Sequence, residues 1–155
     1  MPESRPAPTA SLSLPRWQRQ AIYAAFGLIA LSGIAWLLAH YLLAGAGEFG
    51  ASEHPLAHWS LVAHGIGAYL LLWLGGSLWP LHMRLAWRLR RNRATGLAMA
   101  ALLSSLALTG LWLYYGSIDA REGVSLAHWL LGLGLVPLLV LHIVIGRSRR
   151  TSPQR

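Results

Sequence analysis

The chain of 155 residues contains no cysteine. That absence excludes disulfides, cysteine-ligated iron–sulfur clusters and covalently attached c-type haem, whose attachment requires C-x-x-C-H. Charge is also scarce. Only 12% of residues are charged, about half the share usual in a soluble domain. Lysine is missing altogether, so all thirteen basic residues are arginine, and Asp and Glu together number five. Glu48, Glu53, Asp119 and Glu122 all fall between the long apolar runs. No acid–base pair, nucleophile triad or phosphate-binding loop is therefore placed within those runs, and a stand-alone catalyst is not expected.

What the chain does have is apolar length. Residues 21–47, 54–83, 94–118 and 123–146 carry no charged side chain. Each exceeds the roughly 20 residues a helix needs to cross about 30 Å of hydrocarbon. The connections are too short for a separate soluble domain, so the expected fold is all-α, a polytopic membrane four-helix bundle. The arginines orient it. Twelve of them, including Arg16, Arg19, Arg84, Arg88, Arg93 and Arg147, lie before the first run, between the second and third, or after the fourth. Only Arg121 lies in the other two connections. The positive-inside rule then places both termini in the cytoplasm, and it reads the net charge of +8 as topogenic rather than as a nucleic-acid footprint. Residues 1–16, rich in proline, are expected to be a disordered cytoplasmic tail. Residues 17–147 form the transmembrane domain, and residues 148–155 a basic cytoplasmic tail. The first run is too long for a signal-peptide core and is read as an uncleaved anchor.

Histidines supply the chemistry. The last run carries His128 and His142, fourteen residues apart. Such a spacing is close to four helical turns, which puts both imidazoles on one face about 40° apart and roughly 21 Å apart along the axis. The second run carries His64 and His82, eighteen apart, five turns and about 27 Å on one face. Ionisable side chains inside a membrane are costly enough that function is the default reading. Matched by depth, the four make an outer pair, His64 with His128, and an inner pair, His82 with His142. Facing imidazoles of this kind form a bis-histidine axial set for haem iron. Gly75 lies near the His64–His82 face, and Gly132 near that of His128. A glycine there lets a flat macrocycle approach the backbone. Arg84 and Arg147 are placed to neutralise propionates at the inner side. Pro80 should kink the second helix, and the kink, with helix tilt, must absorb the roughly 6 Å by which the two spacings differ.

Other residues leave alternatives open. His40, near the outer end of the first run, and His58 compete with His64 for the outer site. His58 also gains weight from an echo, since Leu56-Ala57-His58-Trp59 recurs as Leu126-Ala127-His128-Trp129. His54 and His58, spaced i, i+4, have the spacing of a two-histidine metal site, or are polar residues at a wet helix start. The third run has no histidine and is rich in Gly, Ala and Ser, which suits close helix packing. Trp112, Tyr114 and Tyr115 read as an interfacial aromatic belt, with quinone or partner contact as the alternative. Residues 84–93 read as a solvated basic turn.

Over residues 17–147 the chain resembles the membrane cytochrome b proteins, the small four-helix type that includes cytochrome b subunits of hydrogenases and formate dehydrogenases. The resemblance rests on the His128-x13-His142 spacing, on His64 and His82 with their adjacent glycines, and on Thr109-Gly110-Leu111-Trp112-Leu113-Tyr114-Tyr115 before a histidine helix. It implies one or two non-covalent b haems that pass electrons between quinone and a redox partner subunit, in the bacterial inner membrane. In several family members an inner haem ligand comes from the first helix. This sequence has no histidine in the inner half of its first run, so His82 would take that place. Two other function classes remain: a non-redox membrane scaffold or assembly factor whose histidines bond across helices, and a divalent-metal transporter. The absence of intramembrane carboxylates weighs against the transporter.

Overall fold

Helix α1, Arg16–Leu42, begins directly after Pro15 and ends with Leu43 N–H bonded to Ala39 O. The structure, a computed structural model, describes residues 14–43, 45–47, 50–52, 54–90 and 92–151. Most of the tail expected over residues 1–16 lies outside the described residues. At its end, Leu14 packs against the apolar core and Arg16 is already helical.

The first connection is more ordered than its Gly and Ala content suggests. Strands β1, Gly45–Gly47, and β2, Gly50–Ser52, pair antiparallel with Gly45 opposite Ser52. Helix α2, Pro55–Leu78, then starts with proline in its first turn, where the missing N–H has no carbonyl to serve. His54 caps it, its Nδ1 accepting from Leu56 N–H at 3.2 Å.

Pro80 alters the far end of α2 through a specific device. Having no N–H, it cannot satisfy Gly76 O, which instead accepts from Trp79 N–H. Residues Trp79–Met83 form a π-turn closed by Arg84 N–H on Trp79 O. The helix resumes as α3, Arg84–Arg88. The solvated turn expected over 84–93 is therefore corrected: its first half, Arg84–Arg88, is helical, and α4 already begins at Arg93. Arg90 and Asn92 take left-handed conformations between the two, with φ of 52° and 50°. Arg93 fastens the turn. Its guanidinium lies 4.7 Å from the Trp87 ring centre, and its Nε and Nη2 donate to Trp87 O at 3.1 and 2.6 Å.

Helix α4, Arg93–Tyr115, and helix α5, Arg121–Thr151, complete the chain. The C-terminal tail expected over 148–155 is thus helical as far as Thr151. Packing is dense within two antiparallel hairpins, α1 with α2 and α4 with α5. It is sparse between them, where α1 meets α5. The first hairpin closes tightly at Gly67, where any Cβ would lie 2.9 Å from Ile29 Cγ1. Ile22, Ala25, Leu71 and Leu74 form its core, and Leu103 of α4 reaches across to join them. No residue of α4 is itself buried.

Four helices are long and apolar enough to cross a membrane: Arg16–Leu42, Pro55–Leu78, Arg93–Tyr115 and Arg121–Ser148. Large apolar side chains such as Leu31, Tyr69, Leu108 and Val140 stand exposed along their lengths. A surface of this kind is compatible with lipid contact. The all-α expectation holds, with one short β-hairpin added.

Candidate functional site

His64 on α2 and His128 on α5 meet across the space between the two hairpins. Their ring centres are 6.1 Å apart and their planes cross at 69°. Each ring is held from behind by the other helix of its own hairpin. His64 Nδ1 lies 3.1 Å from Ile29 O and 3.2 Å from Ser32 Oγ, both on α1. His128 Nδ1 lies 2.8 Å from Thr109 Oγ1 on α4. Each hydroxyl is in turn anchored to its own helix: Ser32 Oγ donates to Leu28 O at 2.6 Å, and Thr109 Oγ1 to Ser105 O at 2.7 Å. Bonds of this type satisfy the hydroxyl proton where no water is at hand.

A glycine follows each hydroxyl and clears room for the imidazole. A Cβ on Gly33 would sit 3.4 Å from His64 Cε1, and one on Gly110 would sit 3.4 Å from His128 Cε1. The ring thus lies against bare backbone on one side and is tethered at Nδ1, which leaves Nε2 as its other nitrogen.

The arginine-rich end repeats part of this arrangement. His142 Nδ1 lies 3.0 Å from Thr95 Oγ1 on α4. Gly96 follows Thr95, and its Cβ would lie 3.9 Å from His142 Cε1. His82 is carried by the π-turn at the same end of the molecule. Of the two pairs matched by depth, the structure brings the His64 and His128 rings together and sets His82 and His142 at the same end. Arg84 and Arg147 stand exposed at this end. A Cβ on Gly75 would meet nothing within 4 Å, whereas one on Gly132 would reach Leu106 Cδ2 at 4.0 Å. Open space therefore borders Gly75, while Gly132 faces α4.

The remaining histidines sit elsewhere. His54 caps α2, and His58 packs edge-on against Trp59. His40 stacks on Trp36 with ring centres 4.7 Å apart and meets Tyr41 edge-on. Trp36 lies one turn beyond Ser32 on α1, and its buried Nε1 has no acceptor among the described residues. Those residues include no group of three or more His, Cys, Asp or Glu arranged to hold a metal ion. The donor sets are pairs of imidazoles.

The hydroxyls are the residues of the candidate site that sequence reasoning missed, although a signal was present. Thr95-Gly96 and Thr109-Gly110 stand fourteen apart, the same separation as His128 and His142. In an antiparallel hairpin that equality sets each Ser/Thr-Gly couple opposite one histidine. Carried to the first hairpin from Ser32-Gly33 and His64, the same register reaches Gln18 on α1 and residue 78 on α2, where there is no histidine. Gln18 is buried and donates to Ser77 Oγ at 3.0 Å. His82 comes one turn later, in the π-turn.

Two imidazoles on opposite sides of one metal, each with a nitrogen about 2 Å from it, have ring centres about 6 Å apart. The His64–His128 separation fits that requirement, and the tethered Nδ1 atoms leave the nitrogens such a metal would need. No family model, curated protein or solved structure matches the chain.

Proposed function

We propose that the chain is an integral membrane electron-transfer protein that binds one or two non-covalent b haems. Its ligands would be His64 with His128 and His82 with His142. The observation that carries the reading is the outer pair: two imidazoles on helices of membrane-spanning length, 6.1 Å apart, each tied at Nδ1 by a hydroxyl from a neighbouring helix. When bound, haem supplies a one-electron couple whose potential its axial ligands help to set. The chain's own part is to hold the imidazoles in place and to keep water away with apolar helices. Arg84 and Arg147 supply positive charge for propionates at the inner side. On the arginine distribution, both termini face the cytoplasm of a bacterial inner membrane. The exchange partners would be quinone and a redox subunit, with the Trp112, Tyr114 and Tyr115 belt as a candidate contact.

A purely structural reading draws on the same hydroxyl bonds, since they tie α1 to α2 and α4 to α5. In that reading the protein is a scaffold or assembly factor. One measurement separates the two. Membranes containing the protein are expected to show reduced-minus-oxidised bands of low-spin b haem, diminished in His128→Ala and His142→Ala. Folded protein that purifies without chromophore under ample haem supply would favour the scaffold.

A further inference from the structure

Ser32 and Thr109 each stand between an imidazole and a helix carbonyl, and the carbonyls determine where the protons are. Thr109 Oγ1 lies 2.7 Å from Ser105 O and 3.2 Å from Leu106 O. A hydroxyl has one proton, and a carbonyl can only accept. With that proton given to Ser105 O, Oγ1 faces His128 Nδ1 at 2.8 Å as an acceptor. The hydrogen between them therefore belongs to Nδ1. His64 is fixed by an independent argument. Its Nδ1 lies 3.1 Å from Ile29 O, and two acceptors do not bond, so Nδ1 carries the hydrogen. Ser32 Oγ gives its own proton to Leu28 O at 2.6 Å and shares the same N–H at 3.2 Å.

We infer that Thr109 is a positioning residue that locks His128 in the Nδ1–H tautomer, as Ile29 O, seconded by Ser32, locks His64, so that both would present an Nε2 lone pair to one metal centre between them. Partners behind a ligating imidazole fix its tautomer and raise its basicity. On the haem reading, which this consequence rests on, replacing the Thr109 hydroxyl moves the outer centre to higher potential.

The tautomer itself can be read without any cofactor. Full-length protein labelled with nitrogen-15 in lipid nanodiscs, observed by long-range proton–nitrogen correlation, distinguishes Nδ1–H from Nε2–H in each ring. His64→Gln and His128→Gln assign the two signals. Both are expected as Nδ1–H. Thr109→Val should release His128 into a mixture while leaving His64 unchanged, and Thr109→Ser should restore the lock. An Nε2–H form for either ring in the unaltered protein, or a His128 signal indifferent to Thr109→Val, overturns the inference. If the valine variant fails to fold, the unaltered spectrum and Thr109→Ser still decide. Addition of haemin to the same sample keeps the outcomes apart: absence of a low-spin band refutes the haem reading, and the wrong tautomer refutes the lock.

Discussion

At Gly110 a single added methyl would stand 3.4 Å from His128 Cε1, and at Gly33 the same distance from His64 Cε1. Alanine fits at the edge of ordinary contact. A branched side chain does not, because its further carbons point into the ring's space and the helix backbone cannot retreat. Gly110→Val is therefore expected to displace His128, stretch its bond to Thr109 and lower occupancy of the outer centre by tenfold or more. The inner centre should be retained. Haem per polypeptide, read beside the visible spectrum, checks this. The histidines themselves were legible in sequence because an ionisable group amid apolar residues stands out. Ser32, Thr95 and Thr109 were not, because hydroxyls are common in membrane helices and satisfy themselves on their own backbone. Only their spacing relative to the histidines marks them.

Between elements, what matters is register. In the second hairpin the couples at Thr95 and Thr109 meet His142 and His128 in one continuous antiparallel alignment. In the first, the alignment that pairs Ser32 with His64 arrives at the half-buried Gln18–Ser77 bond instead, and the π-turn carries His82 beyond it. A π-turn holds more residues per turn than an α-turn and so advances less along the axis per residue. It therefore absorbs part of the excess of the eighteen-residue spacing over fourteen. Pro80→Ala restores the N–H that Gly76 O would accept in an α-helix, and it is expected to let α2 run straight through Met83. His82 then turns away from His142. The expected result is loss of the inner haem signal with the outer one intact and the fold at least as stable, read by redox titration and thermal unfolding. Sequence reasoning located the disturbance at Pro80 but expected a simple kink. Whether a proline bends a helix or widens it depends on which carbonyl finds a new donor, and that is settled by packing. The helical α3 was missed for another reason: arginine is a good helix former, but its density there read as a solvated turn.

For the whole molecule, four spans were legible because a bilayer imposes a compositional requirement, some 20 uncharged residues per helix. How the spans pair was less so, since exposed apolar surface carries no direction. The structure divides them into two hairpins with dense packing inside each and little between. His64 belongs to one hairpin and His128 to the other, so on the proposed reading a haem held by both would also help to join the halves. Chains comprising residues 1–90 and 91–155, made together in one cell, should each insert as a hairpin. They are expected to co-purify when haem is plentiful and to separate when haem synthesis is blocked or His128 is replaced by alanine. Halves that associate equally well without haem would show that lipid-facing packing alone suffices. If they do not, haem would be a structural part of the protein as much as the electron carrier proposed for it, and its supply would govern how much of the protein accumulates.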